Sequence, residues 1–450
     1  MTQNYFESRY LSLIGHVQSG KTMEEINYCY ASITNYRLPV VFIVRNIKAD
    51  QLQLKKRFDE IKNLPPNVVL NVKMVHTLSI ENAVKFMENL GVLIVLCNET
   101  KLRKTLEIVN AFNKPYNVCI DEVDFSIKFK DKLSILDCHL KTIKDRANHI
   151  LGATATPFAL FSSETSLCKI KKIKPNSNYR GIETLTVKFV DSCIIRSEPD
   201  FPLCDMDAMD NIYENFMEKE RGVLLHTVVK DRKNHSKIQN YLKSMYPELT
   251  ILTYNGDGIK VKTNHTFQLA DRKNVNSYGQ LINLYHLKEN THHFRNYSIS
   301  EVLQILVDDI HYDHTHIVII AGHLASRGIS FVSTDYSLHL TDQYLYASKR
   351  THGENLLQSL RILGCYKDNV PLTLWCSEQT WKSINVHNKI INNLVNGVNN
   401  NLNWMAKIKE VYINKPLSNL TRPQLCNYKI NLIKQKFKLD IFYPVKLEQT

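Results

Sequence analysis

No stretch of this 450-residue chain approaches the roughly 18 consecutive apolar residues that a membrane span needs. The longest apolar runs, such as Val92–Cys97 and Ile317–Ala321, have the length of buried strands. The opening residues MTQNYFESRY lack a basic segment followed by an apolar one, so no secretory signal is expected. None of the ten cysteines belongs to a CxxC pair, which argues against a zinc ribbon and against a secreted disulfide framework. They are expected to be reduced and used mainly as small apolar residues. There is no internal repeat, no long low-complexity tract and no nuclease constellation of the PD…ExK kind. Together these absences predict an intracellular globular protein.

What is present fits that expectation. A hydrophobic content of 44% with 22% charged residues describes a chain that folds, with room for two or three domains. Lysine and arginine outnumber aspartate and glutamate by 57 to 44, a formal charge of +13. Such a field attracts polyanions, though by itself it names no partner.

Short β-branched apolar runs alternate with helical stretches, the pattern of a parallel sheet covered by helices. Expected strands in the first half are Leu11–Ile14, Val40–Val44, Val69–His76, Val92–Cys97, Val118–Asp121 and Ile150–Ala153. In the second half they are Thr184–Val190, Val223–Val228, Leu249–Tyr254, Ile317–Ala321, Ser337–Thr341 and Leu372–Cys376. Helices are expected at Thr22–Ile33, Gln51–Lys62, Ile80–Leu90 and Lys101–Phe112. Two α/β domains are predicted, at residues 1–195 and 205–397, joined by the linker SEPDFPLCDMD. A polar insertion at about 256–297 is expected to be helical around Val275–Lys288, and 398–450 reads as a basic extension.

Two motifs carry chemistry. Gly15-His16-Val17-Gln18-Ser19-Gly20-Lys21-Thr22 fits GxxxxGK[ST], directly after a strand and opening a helix. The glycines let consecutive N–H groups curl toward phosphates, and the helix N-terminus adds a favourable dipole. Lys21 is expected to reach the β- and γ-phosphates of ATP, and the Thr22 hydroxyl to join the Mg2+ shell. Further on, Asn117-Val118-Cys119-Ile120-Asp121-Glu122-Val123-Asp124 is an apolar strand running into three acids. Carboxylates packed at a strand's C-terminal edge are costly unless a cation neutralises them. Asp121 is therefore assigned to Mg2+, and Glu122 to polarising the water that attacks the γ-phosphate.

The order of motifs resembles that of superfamily-2 DExD helicase-like ATPases. Gly15–Thr22 resembles motif I, and Asp121–Asp124 resembles motif II. Gly152-Ala153-Thr154-Ala155-Thr156-Pro157 looks like motif III, Ala321–Ser330 (AGHLASRGIS) like motif V, and Gln358-Ser359-Leu360-Arg361-Ile362-Leu363-Gly364 like motif VI. The five span about 350 residues in the expected order. GHVQSGKT, Tyr179-Arg180-Gly181, the strand LLHTVV with His235 downstream, LASRGIS and QSLRILG are similar to the endonuclease-associated Z-one family. Members of that family commonly have an aromatic residue in the last motif, where this chain has Ile362-Leu363. The composition, rich in Asn, Lys and Tyr, resembles that of proteins from large DNA viruses, which implies the cytoplasm or nucleus of a host cell.

The resemblance implies an α/β fold of two tandem RecA-like P-loop domains with parallel sheets, ATP lying in the cleft between them. It implies that Arg361 is an arginine finger, that Gln358 senses the nucleotide, and that Arg327 and Gly328 sit near the nucleotide. Thr154 and Thr156 are implied to transmit the phosphate state. Fewer residues precede the first strand than the adenine-sensing segment of the DEAD-box class takes, so Tyr5 or Phe6 is the expected alternative for stacking on adenine.

DNA or RNA is the implied partner, contacted mainly through phosphates. Arg45 and Lys48 after the second strand, Lys101 after Cys97, and Lys230 are the candidate contacts. Lys169–Lys174 alternates lysine with isoleucine and reads as an edge strand guarded by charge. The tail from Leu402 interleaves nine basic residues with Trp404, Tyr412, Tyr428, Phe437 and Tyr443, suited to a single strand or to a helical cap. Two other functions stay open: a non-catalytic nucleic-acid-binding scaffold, and the motor subunit of a complex with a nuclease or a replication or transcription partner.

Overall fold

The computed structural model describes residues 5–61, 70–126, 134–157, 169–190, 206–227, 232–255, 258–264, 283–287, 291–295, 297–309, 316–322, 329–346 and 353–400. The chain divides into two compact units. The first takes in the residues up to Gly15, Lys21–Ile173 and those from Val386 on; the second takes in His16–Gly20 and Lys174–Asn385.

The first unit is built on β1 (Tyr10–Ile14), β2 (Val40–Val44), β3 (Val72–Met74), β4 (Val92–Leu96), β5 (Asn117–Ile120), β6 (Ile150–Thr154) and β7 (Lys169–Lys172). They form one sheet in the order β3-β4-β2-β5-β6-β1-β7, and every pairing is parallel. Its helices are α1 (Lys21–Asn35), α2 (Lys48–Glu60), α3 (Ile80–Glu88), α4 (Glu99–Phe112) and α5 (Ile135–Arg146).

The pleat of the buried strand VVFIV sorts these helices onto two faces. Val41 and Ile43 join one core with Leu102, Ile108 and Leu140 of α4 and α5. Val40, Phe42 and Val44 join the other, with Ile26 and Cys29 of α1 and Leu54 of α2. Helix starts are chemically specified. Ser79 caps α3 by accepting from Asn82 N, Asn98 caps α4 by accepting from Lys101 N, and Ser134 with Asp137 forms a capping box on α5. Strand β7 lies at the sheet edge beside β1 with Lys169 exposed and Ile170 buried, the lysine-guarded edge expected for this segment. Cys29, Cys97, Cys119 and Cys376 are thiols packed in the interior.

The second unit contains β8 (Tyr179–Arg180), β9 (Leu185–Phe189), β10 (Gly222–Thr227), β11 (Thr250–Asn255), β12 (Gly258–Lys262), β13 (Asn283–Leu287), β14 (Thr291–Arg295), β15 (His316–Ala321), β16 (Asp342–Tyr344), β17 (Gly364–Cys365) and β18 (Leu372–Cys376). Nine of them form a sheet in the order β13-β14-β12-β11-β15-β10-β16-β18-β9, while β8 and β17 pair separately. The stretch from β11 to β9 is parallel; β12, β14 and β13 extend it antiparallel. Its helices are α6 (Met206–Met217), α7 (Arg232–Met245), α8 (Ile299–Asp309), α9 (Gly353–Ser359) and the first part of α10 (Glu378–Asn400). Two α/β units with mainly parallel sheets are the fold class expected, and are consistent with RecA-like domains. Among the described residues no helix is long and apolar enough to cross a membrane.

Three expectations differ from what the structure shows. Thr184–Val190, grouped with the strands of the second half, falls inside the 1–195 bounds expected for the first domain, yet β9 pairs with β18 and its residues count with the second unit. The helix expected around Val275–Lys288 includes β13, a strand paired with β14; aromatic and β-branched residues in these short segments favour a pleated surface. The remainder of that expected helix, 275–282 and 288, lies outside the described residues. Ser337–Thr341 makes only an isolated bridge, Val332 to His339, and the strand begins at Asp342. Asp335 is the cause: it accepts from Ser333 Oγ at 2.6 Å, Ser337 N at 2.9 Å and Ser337 Oγ at 2.7 Å, closing a side-chain turn that delays the strand.

Candidate nucleotide site

In the first unit, β1 ends at Ile14 and α1 begins at Lys21, so the glycine-rich loop is the whole connection between them. Gly15 N donates to Thr154 O at 3.2 Å, tying the loop's entry to β6. Within the loop Ser19 N donates to His16 O at 3.2 Å. Gly20 has φ +92, and no atom lies within 4 Å of where a Cβ would stand. It is required for its backbone conformation, and its open face leaves room for a ligand. Lys21 is buried, and the Ser19 hydroxyl is buried with no hydrogen-bond partner.

The acids come off the neighbouring part of the same sheet. Strand β5 is separated from β1 by β6 alone, and its C-terminal end delivers Asp121, whose N–H donates to Ile43 O at 3.1 Å. Glu122 follows in the left-handed region at φ +51, with Oε2 buried and without a hydrogen-bond partner. Asp124 is buried and accepts from Thr154 Oγ1 at 2.9 Å and Thr156 Oγ1 at 3.2 Å, while Thr156 N donates to Thr154 Oγ1 at 2.9 Å.

Two further residues belong to this centre and were not singled out in the sequence. Arg57 of α2 donates from Nη1 to Thr22 Oγ1 at 2.8 Å. Nothing local in the sequence points from α2 to Thr22. Glu25 lies one helical turn after Lys21, fully buried, with neither carboxylate oxygen hydrogen-bonded. Burial raises its carboxyl well above the usual range, and the fields of Asp121 and Glu122 add to this while Lys21 opposes it. The i, i+4 spacing from Lys21 was legible; the burial was not.

These residues suit a nucleotide and its cation. The loop has an open glycine face and an orphaned hydroxyl, and two acids follow β5. Among the described residues no group of three or more His, Cys, Asp or Glu is placed to hold a metal ion by protein ligands alone. One or two protein ligands completed by substrate phosphates is the usual Mg2+ arrangement.

In the second unit, Gln358 on α9 and Arg361 just beyond it are both buried. Arg361 Nη1 donates to Gln358 O at 3.2 Å, and Nη2 donates to Ile329 O. His16–Gly20 also count with this unit. With the Gln18 amide oriented to suit its neighbours, Oε1 accepts from Arg361 Nη2 at 3.0 Å and Nε2 donates to Leu363 O at 3.0 Å. Tyr179 Oη donates to Val17 O at 2.9 Å, and burial holds its phenol well above the ordinary range. Arg327, Gly328 and Lys230 lie outside the described residues, as does the basic tail beyond Asn400.

The candidate nucleic-acid contacts of the first unit follow adjacent strands. The segments after β2 and β4 meet where Asn98 Nδ2 donates to Asn46 Oδ1 at 2.8 Å. Arg45, half-buried, leaves β2 here, and Lys48 opens α2. Lys101 lines a hollow of about 390 Å³ with Ser79, Ile80, Thr100, Arg103, Lys104 and Glu107, so three cations face it against one carboxylate. Tyr5 and Phe6 are not presented for stacking. Tyr5 is buried, donates to Glu24 Oε2 at 2.8 Å and meets Tyr28 edge-on, while Phe6 stacks on Tyr28 at 5.2 Å and packs on Tyr36 and His149. Closing the core outcompetes solvent exposure for these rings.

No protein-family model matches the chain, and no curated protein does. Among solved structures it is similar to RecG bound to a three-way DNA junction, at 12% identity and a TM-score of 0.43, over 86% of this chain and 43% of that one. It thus spans less than half of the RecG chain. It is also similar to a variant of S. cerevisiae Dbp5 bound to RNA and ADP BeF3, at 11% identity and a TM-score of 0.46, over 84% and 82% of the two chains.

Proposed function

We propose that the chain is an ATP-dependent nucleic-acid motor of the superfamily-2 type, hydrolysing ATP and coupling that hydrolysis to movement on, or remodelling of, DNA or RNA. The observation that carries this reading is the centre around Lys21, Thr22, Asp121 and Glu122, with Asp124 bonded to both threonines of the TATP segment. In it, Gly15–Thr22 bind the phosphates and Lys21 neutralises the β- and γ-phosphates. Thr22 and Asp121 would hold Mg2+, which would supply charge neutralisation and phosphate orientation when bound. Glu122 orients the attacking water and accepts its proton. Arg361 stabilises charge on the γ-phosphate and Gln358 senses the nucleotide; Arg327 and Gly328 are assigned to nucleotide binding by their place in the AGHLASRGIS motif alone. Thr154 and Thr156 report the phosphate state through Asp124.

A pure scaffold gains nothing from these arrangements. A buried carboxylate oxygen with no hydrogen bond, as at Glu122 and Glu25, costs stability and is expected where a ligand completes it. For the track, the hollow at Lys101 sets cationic side chains and two helix N-termini together, the chemistry that receives a phosphate backbone. Arg45, Lys48 and Lys230 are proposed as further phosphate contacts, and the basic composition of residues 398–450 suits the same partner. The finer reading is a Z-one-type motor from a large DNA virus, working inside a host cell.

The test is ATP turnover by the wild type and Lys21→Ala, alone and with single-stranded DNA, duplex DNA and RNA. Turnover is expected to be lost in the variant and raised by one polymer in the wild type. Turnover absent throughout would overturn the proposal.

A further inference from the structure

The Gln18 side chain has no task in the phosphate-loop pattern, where its position accepts any residue. Here it is committed. Its backbone is at φ +56, a conformation that non-glycine residues adopt rarely. From there its amide is used at both ends, accepting from Arg361 Nη2 at 3.0 Å and donating to Leu363 O at 3.0 Å. The chain opposite leaves space for it. Gly364 sits at φ +158, and a Cβ there would come within 2.8 Å of the Gln18 amide. A second tie lies alongside, from Tyr179 Oη to Val17 O at 2.9 Å, and Tyr179 itself pairs with Cys365 across the β8–β17 ribbon. Gln18 is thus bonded to the segment Arg361–Leu363, and Val17 to Tyr179 of the strand that pairs with Gly364–Cys365.

We infer that Gln18 is a positioning residue for Arg361, holding the guanidinium at the phosphate loop until the γ-phosphate of ATP takes over the bond. This rests on the motor reading above. An amide oxygen is a neutral acceptor, whereas a phosphoryl oxygen is charged and binds guanidinium more strongly and in two-pronged geometry. The exchange therefore runs toward the nucleotide, and the arginine arrives already near its target. The benefit falls on the chemical step and not on ground-state binding, because the bond to phosphate strengthens as charge develops.

The experiment is a double-mutant cycle in the full-length chain with Gln18→Ala, Arg361→Ala and both, reading kcat, KM for ATP and the thermal unfolding midpoint. Gln18→Ala is expected to lower kcat about tenfold, the scale of one hydrogen bond to a charged group, with KM little changed. In the Arg361→Ala background it is expected to cost nothing further. Gln18→Glu is expected to be slower than Gln18→Ala, since a carboxylate competes with phosphate for the guanidinium. Additive losses, or a rise in KM alone, would overturn the proposal. Gln18→Met, similar in length and unable to hydrogen-bond through its end, replaces the alanine variant if that one does not fold. Should the wild type hydrolyse no ATP, the motor reading fails and the catalytic role fails with it. Additivity in the unfolding midpoints would separately show that the contact itself is absent.

Discussion

Thr154 Oγ1 donates to Asp124 Oδ1 across 2.9 Å, and both residues are buried. A strand and the acidic turn beside it are thereby joined by a bond that neither can replace with water. Thr154→Val keeps the shape and removes the donor. It is expected to destabilise the protein by about 1–3 kcal/mol, the cost of a buried acceptor losing its partner, and to weaken the stimulation of ATP turnover by nucleic acid. Denaturant unfolding checks the first outcome, and turnover with and without polymer checks the second.

Glu25 makes stability fall as pH rises. Its carboxyl is raised above the ordinary 4.5 by burial and by Asp121, so the native state keeps a proton that the unfolded chain has released. Above pH 4.5 the unfolded state binds fewer protons and is increasingly favoured, until the raised native value is passed. Glu25→Gln removes this titration. Its unfolding midpoint, measured without nucleotide or divalent cation, is expected to gain on the wild type as pH rises above 4.5.

His226 acts in the opposite direction. It is fully buried, Nδ1 lies 3.0 Å from Tyr213 Oη, and burial lowers its pKa from 6.5 to about 3. Between those values the unfolded chain binds a proton that the native state refuses, so stability is lost as pH falls below 6.5. His226→Gln is expected to be less stable than the wild type at neutral pH, through lost packing on Tyr344, and to lose less on acidification. Thermal unfolding across that range checks both.

Lys101 is read as a phosphate contact at the hollow between α3 and α4. Lys101→Ala is expected to weaken binding to all sequences alike and to reduce the slope of log affinity against log salt by about one. Fluorescence anisotropy with labelled single strands at several salt concentrations measures this. An unchanged slope would place the track elsewhere.

Much of the fold was legible where one kind of residue dominates. Val40–Val44 is an uninterrupted apolar run and Leu372–Cys376 is apolar but for Thr373, and their strands have those bounds. The lysine–isoleucine alternation of β7 showed a strand with one face in water. Legibility failed where polar side chains decide the backbone, as at Asp335, or where aromatics have two uses, as at Tyr5 and Phe6. At the candidate site, spacing singles out Lys21, Thr22, Asp121 and Glu122 as candidates because residues of their proposed roles recur in fixed local patterns. Arg57 reaches Thr22 from 35 positions away, and Gln18 reaches Arg361 from 343, distances over which no local pattern operates.

The order of strands in the first unit has a consequence for how the protein is made. β1 carries the phosphate loop, and its neighbours are β6 and β7, so that Tyr10 waits for Ile150 and Leu11 for Lys169. During synthesis β1 leaves the ribosome well before either neighbour exists, while β2, β4 and β5 can already pair among themselves. Its pairing is non-local and closes late, as contacts of long sequence separation do. The nascent chain therefore acquires a hydrophobic core before the Gly15–Thr22 loop is tied to Thr154, and under the proposed function an arrested chain ending short of residue 150 is expected to be folded in part but unable to bind ATP.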